Sequence, residues 1–408
     1  MDFNPLDQPG IAPDEQLRSW RELAVDPIPP EGGDPYTRCR VILMNGIEVE
    51  SIMFSHQFSR HIDNLELKRD LALSRRIEQQ QQKTVNWLLP GQNSVLETTI
   101  GYEQVAVDLT AWLARNEPDP QLRMALDFAL LEDFDHLYRY ANLYELANGR
   151  YAARLTDHLT EIMPGRPTIA HHRHPYDSIR PHYETHSVHP LSRMHVMTIV
   201  AAEQQTMNYY MNTGPAFIEA IARELYQEIG MVEEEHVSHY ESLLDPVDSW
   251  LCNWVYHEYN EAYLYHSMML QETDPKVKAL WELHLNMELG QLRVACQYLE
   301  RLEGRDPAEL LPPSLPEVPV TFQENKRYVR EVLAATVDLR TDGTGYSPVE
   351  DLADDHRYFT YNRKANLGGT PSEQVISMNV SAQGRDYRDQ TDGEHPIVDL
   401  RQPAGARN

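Results

Sequence analysis

Apolar and polar positions along the chain fall into stretches of helical period separated by proline and glycine breaks, and those breaks place most of the elements. From Glu50 to about Gln82 the pattern is helical and polar, with Leu65, Leu71, Leu73 and Ile77 available for one apolar stripe, and Pro90-Gly91 closes it. Ser94 followed by Glu97 predicts a capping box opening a helix to about Arg115. Asp119 and Pro120 supply the N-cap and first position of a second helix that ends near Gly149, so the two form an antiparallel pair. His189-Pro190 opens a third helix to about Asn212, Gly214-Pro215 break it, and a fourth runs to about Leu244. A fifth leads to Asp274-Pro275, and a sixth ends near Gly304.

The flanks read differently. Residues 1–50 are rich in Pro and Gly and hold one β-type run, Val41 to Met44, before a hairpin-like Asn45-Gly46, so an arm is expected there. Beyond Pro312 the chain is loop-like, with a polar tail from about Asp342. The predicted organisation is an N-terminal arm (1–50), a leading helix (51–90), a four-helix bundle (91–245), an additional helix pair packed on that bundle (246–304) and a loop-rich C-terminal extension (305–408). The fold class is all-α.

An acid and a histidine three residues apart share one helix face, where both can reach one metal ion. Three such pairs occur: Asp133/His136, Glu233/His236 and Asp392/His395. Thirty residues before the first two acids stand Glu103 and Glu203, each followed by a glutamine; before Asp392 stands Asn362, and that pair lies in the irregular tail, so it is set aside. In the first copy the chain climbs and descends ~21 Å, leaving the ligands level. In the second, Gly214-Pro215 follow Glu203 too soon, so the loop is expected to extend toward Glu219 or the helix to be irregular near Gly230. Chance alone yields about 0.4 copies of the acid, acid, His pattern in a chain of this composition. Two copies offset by 100 residues, with Tyr140 and Tyr240 each four residues after the histidine, indicate an internal duplication of a helix pair over 95–145 and 195–245. A fainter third copy has Glu258 and Glu288, with Gln291 where the histidine would stand, and is expected to lack a full metal site.

One Glu on each of two helices and an acid-x-x-His on each of the other two resembles the ligand pattern of the ferritin-like di-iron carboxylate proteins, over residues 95–245. The resemblance implies a ferritin-like bundle in which Glu103 and Glu203 are terminal carboxylates, Asp133 and Glu233 bridging carboxylates, and His136 and His236 the nitrogen ligands. Asp133 is one methylene shorter than the usual Glu, and the neighbouring Glu132 is an alternative ligand. Two histidines are similar to the catalytic branch rather than to storage ferritins. The implied cofactor is two Fe ions, with Mn as the other hard-ligand choice, and the implied activity is O2 activation to oxidise a small organic substrate. Tyr140, Tyr240, Tyr210 and Thr110 are candidate catalytic or pocket residues, with plain core packing as the competing reading. His171, His172, His174, His182, His186, His189 and His195 crowd the long connection before the third helix, as a lid or merely a polar crossover.

Composition narrows the partners. With 63 acidic against 36 basic residues the net charge is -27, which argues against nucleic acid. Cys39, Cys252 and Cys296 form no Cys-x-x-Cys pair, so classical rubrerythrin is excluded. An acidic, proline-containing start and no apolar run of ~18 residues predict a cytoplasmic chain without a membrane span. No Gly-x-Gly-x-x-Gly fingerprint appears, so a separate electron donor is expected; a homo-oligomer is allowed. The rival functions are a manganese catalase, peroxidase or ferroxidase and, outside enzymes, an acidic helical scaffold.

Overall fold

A computed structural model describes residues 3–30 and 33–402. Among them the chain is mostly helical, with α1 (Pro35–Arg60), α2 (Leu65–Asn86), α3 (Val95–Asn116), α4 (Pro120–Asn148), α5 (Pro190–Thr213), α6 (Ala220–Glu241), α7 (Trp250–Gln271), α8 (Pro275–Glu303), α9 (Lys326–Thr336), α10 (Arg357–Ala365) and α11 (Pro371–Gln383). Among the described residues the one sheet is an antiparallel hairpin, β1 (Leu339–Asp342) with β2 (Gly345–Pro348), and Ile162 and Asp389 form an isolated bridge. Among the described residues no helix is long and apolar enough to cross a membrane.

Helix starts follow local chemistry. Ser94 and Glu97 close a capping box on α3, Asp119 accepts from the Gln121 and Leu122 N–H groups at α4, and Asp274 accepts from Lys276 and Val277 at α8. Gly149 and Gly304 end α4 and α8 in the left-handed conformation that a Cβ disfavours.

The chain divides into two compact units. The first comprises Met1–Gln92, Tyr183–Ala202 and Asp245–Thr321 and contains α1, α2, α7 and α8, with α1 packed on α2 and α7 on α8. The second comprises Asn93–His182, Glu203–Leu244 and Phe322–Asn408; in it α3 packs on α4, and α4 on α6, α9 and α11. Helix α5 belongs to the first unit up to Ala202 and to the second from Glu203. The core of the second unit includes Leu130, Leu131, Phe134, Leu137, Tyr140, Tyr210, Tyr226 and Ile229. Each of the Leu, Ile and Phe side chains contributes roughly 1.5–3 kcal/mol by burial.

Four expectations are corrected. Residues 35–50 are helix and not arm: Cys39 to Ile47 are buried on all sides, and a helix with no polar face shows no helical period, so Val41 to Met44 imitates a strand. The expected leading helix is two helices, because Asn64 caps a new start by accepting from Leu67 N–H. The pair at 246–304 completes the first unit with α1 and α2, and does not belong to the unit formed by 93–182 and 203–244. The C-terminal extension is also more ordered than its composition suggests. In the second unit Arg139 binds Asp135 and Glu373, Ser372 N–H donates to Glu228, and Asn379 donates to Asn142 and Glu145, seating α11.

Candidate metal centre

Six side chains converge inside the second unit: Glu103 from α3, Asp133 and His136 from α4, Glu203 from α5, Glu233 and His236 from α6, none more than 2 % exposed. Helix lengths bring them level. Glu103 is 13 residues from the end of α3 and Asp133 is 13 from the start of α4, or ~20 Å each. On the other pair Glu203 is 10 residues from the end of α5 and Glu233 is 13 from the start of α6, a shortfall of ~4.5 Å. A 3₁₀ turn at Gly214–Ala216 and extended residues to the N-cap Glu219 span it. Helix α6 continues through Gly230 without interruption, and a Cβ there would stand 2.9 Å from Met211 Sδ, so glycine serves the close approach of α5 and α6.

The potential ligand atoms form two groups, each within 4.8 Å: Asp133, Glu203, Glu233 and His236 in one, Glu103, His136 and Glu233 in the other. Glu233 belongs to both, with Oε1 3.0 Å from His136 Nδ1 and Oε2 3.1 Å from His236 Nδ1. The two imidazoles face each other with centroids 5.9 Å apart. His236 Nδ1 is also 3.2 Å from Asp133 Oδ1 and 3.5 Å from Glu203 Oε2.

Glu132 has a different task. One residue turns a helix by ~100°, and Glu132 meets the far side of His236, Oε2 accepting from Nε2 at 2.8 Å. Arg173 donates to both Glu132 oxygens at 3.0 Å, and Arg166 to Oε1 at 3.2 Å. Arg166 is completely buried, donates to the Phe128 carbonyl at 2.7 Å and lies 4.0 Å over the Phe128 ring. The preceding Gly165 makes this approach feasible: a Cβ there would be 2.3 Å from the Leu131 carbonyl oxygen. Asp133 is thus the α4 acid among the potential ligands, and Glu132 orients a ring. Sequence reasoning missed Arg166 and Arg173, which lie in the irregular connection and show no spacing relative to the helices.

The histidines are not equivalent. Val232 occupies the position matching Glu132 in the second copy, so His136 Nε2 has no carboxylate and no other hydrogen-bond partner. The His171 ring lies 5.2 Å from His136, with Nε2–H donating to the Arg166 carbonyl at 2.5 Å. Burial holds His171 well below the usual histidine range, so it is a neutral ring. Three of the other clustered histidines have separate tasks. His172 lies 3.1 Å from Glu228, and His174 and His189 accept from nearby N–H groups at the starts of helical turns. Asp392 and His395 hold no metal-like grouping: His395 Nε2 meets the Pro164 carbonyl at 2.7 Å.

Electrostatics divide the carboxyls. Burial raises Glu103 well above the ordinary carboxyl value, with Glu233 adding repulsion, and burial likewise raises Glu203 and Asp133. Burial would raise Glu233 too, but hydrogen bonds from His136 and His236 outweigh it and bring its value down to about 2. Burial opposes the charge of His236, yet Asp133 and Glu203 hold its pKa well above the usual range. Burial opposes the charge of Glu132, but Arg173, a hydrogen bond from His236 and Arg166 outweigh it and hold the carboxyl well below its ordinary value. Half-buried Glu235, 3.2 Å from Arg173, is raised by its desolvation to about 7.

Both Asp133 oxygens, Glu103 Oε2, Glu203 Oε1 and His136 Nε2 are buried without a hydrogen bond. Unsatisfied acceptors of this kind each cost on the order of 1–3 kcal/mol, and converging carboxylates cost more unless a cation joins them. The donor set therefore fits bound metal: hard oxygens with one imidazole for each group suit first-row divalent ions such as Fe or Mn. Of the candidate catalytic residues Tyr210 touches a potential ligand, donating to Glu103 Oε1 at 2.5 Å. The Tyr140 ring lies 5.2 Å from Tyr210 and 4.9 Å from Tyr226, and the Tyr140, Tyr240 and Thr110 hydroxyls are buried with no hydrogen-bond partner.

Comparison of the chain with protein-family models, curated proteins and solved structures found no significant match.

Proposed function

We propose that the second unit is a ferritin-like bundle whose carboxylates and histidines hold two iron ions, and that the protein is an oxidoreductase using O2 to oxidise a small organic substrate. The observation that carries this reading is Glu233, shared between two ligand groups that each contain one histidine. Ionised Glu103, Asp133, Glu203 and Glu233 balance two divalent cations. A bound di-iron pair would supply two electrons to O2, one from each ion.

The surrounding residues support that task. Arg166 and Arg173 keep Glu132 ionised, and Glu132 holds one proton of His236 on Nε2, so that a cation replacing the proton on Nδ1 would meet its lone pair beside Asp133, Glu203 and Glu233. The Tyr210 hydroxyl holds a proton against Glu103 Oε1. The Tyr209 and Tyr210 rings, with centroids 5.8 Å apart, lead from half-buried Tyr209 to Glu103 and offer a path suited to a separate electron donor.

Iron-replete expression followed by metal analysis and O2 uptake with a chemical reductant tests the reading. About two Fe per chain and reductant-dependent O2 consumption are expected; fewer than about one Fe or Mn per chain overturns the metal site. O2 evolution from added peroxide without reductant assigns catalase chemistry instead.

A further inference from the structure

The first unit repeats the same spacing with different donors. Glu48 on α1 stands thirty residues before Glu78 on α2, and Glu258 on α7 thirty before Glu288 on α8, as Glu103 stands before Asp133 and Glu203 before Glu233. Three residues after the second acid come Gln81 and Gln291, where the other unit has His136 and His236. Glu261, almost one turn after Glu258, adds a fifth acid. All five are no more than 2 % exposed, and ligand atoms of Glu78, Glu258, Glu261 and Glu288 lie within 4.8 Å of one another.

Neighbours hold part of this cluster in place. Trp254 Nε1–H donates to Glu258 Oε1 at 2.6 Å, Gln291 Nε2–H to Glu288 Oε2 at 3.1 Å, Ser74 Oγ–H to Gln291 Oε1 at 2.6 Å, and Tyr265 and Gln81 donate to Glu48 and Glu288 respectively. The rest is bare: both oxygens of Glu261, and one each of Glu48, Glu78 and Glu258, have no N–H or hydroxyl donor. Only a proton shared with Glu288 is on offer to Glu261. Among the described residues no basic side chain forms an ion pair with the cluster. Arg40 is bound to Asp34 and Glu272, Arg75 donates to Ser55, and His257 pairs with Glu50. His284, which contacts Tyr265 at 3.1 Å, is brought by burial to about 3 and is neutral.

We propose that the first unit contains a second metal site, for one hard divalent cation of the Mg2+, Ca2+ or Mn2+ class, with Glu78, Glu258, Glu261 and Glu288 as oxygen ligands. Five buried carboxyls without a basic partner carry protons or a cation, and Glu261, whose two oxygens are both bare, places one of them in the group. An amide offers oxygen or N–H but no nitrogen lone pair, so replacing each histidine by glutamine leaves an all-oxygen set. Such a set selects hard ions and disfavours the redox metals that imidazole holds. The ion ties α2, α7 and α8 together.

Chelated full-length protein titrated with Mn2+, and separately with Tb3+ as an oxygen-seeking probe read through tryptophan-sensitised emission from Trp254, tests this. The expected result is one Mn2+ equivalent that H136A/H236A retains and E258Q/E261Q loses, with Tb3+ affinity falling at least tenfold in E258Q/E261Q. That variant removes buried charge, so its metal-free melting temperature should equal or exceed the parent's, separating ligand loss from misfolding. Unchanged Mn2+ stoichiometry and Tb3+ emission in E258Q/E261Q, or no sensitised Tb3+ emission in the parent, overturns the site and leaves a cluster neutralised by protons.

Discussion

The two units use one spacing four times and differ most consequentially three residues after the second acid. In the second unit that position is His136 and His236; in the first it is Gln81 and Gln291. The surroundings differ accordingly. Histidine needs an outer partner to fix its proton, and Glu132 under Arg166 and Arg173 provides one for His236. The glutamines instead spend their N–H groups on Glu288, and hydroxyl and indole donors hold the remaining acids. Helix pairs of this length supply buried carboxylates in either case, and the residue one turn on selects between nitrogen-containing and all-oxygen chemistry.

The comparison breaks most completely if His136→Ala/His236→Ala keeps its iron. Loss of essentially all Fe from the second unit is expected, read by metal analysis. Next in size is Glu132→Gln, which strips the charge facing Arg166, Arg173 and His236. Uncompensated buried charge costs about 3–5 kcal/mol, so a clear loss in chemical denaturation is expected, with Fe affinity weakened about 10–100-fold. A denaturation midpoint equal to the parent's would remove Glu132 from its orienting role. The converse exchange sharpens the contrast: Gln81→His/Gln291→His should give the first unit nitrogen donors and at least tenfold tighter Co2+ binding, followed by visible absorption.

The smallest effect is a pH dependence. Burial and mutual repulsion raise Glu48, Glu258 and Glu261 well above the usual 4.5 in the metal-free protein. A raised carboxyl binds a proton that the unfolded chain has released. Its stabilisation is complete below about 4.5 and disappears as pH rises through the raised values. Chelation should therefore lower the melting temperature by more at pH 8 than at pH 5, and equal shifts at the two pH values would contradict it.

Much of the second unit was legible because its signals are local. The capping box at Ser94, the Asp-Pro starts and the Glu103, Asp133, His136, Glu203, Glu233, His236 spacing each need only a few residues or one helix pair. The fourth copy escaped notice because a search keyed on histidine passes over Gln81, and because Val41 to Met44, buried all round in α1, imitate a strand ahead of Glu48. Arg166, Arg173 and His171 escaped because irregular backbone has no period that assigns a direction to a side chain.

Helical character and the thirty-residue repeat of acids follow from residue order, since capping and helical rise act within a few turns. Pairing of the four helix pairs was a tertiary matter: 246–304 follows the bundle segment in the chain but belongs to a unit with α1 and α2. So was the choice between Glu132 and Asp133. One is oriented by two distant guanidinium groups and the other faces Glu203 and His236, a distinction made by packing across helices to which adjacent positions in a chain are blind.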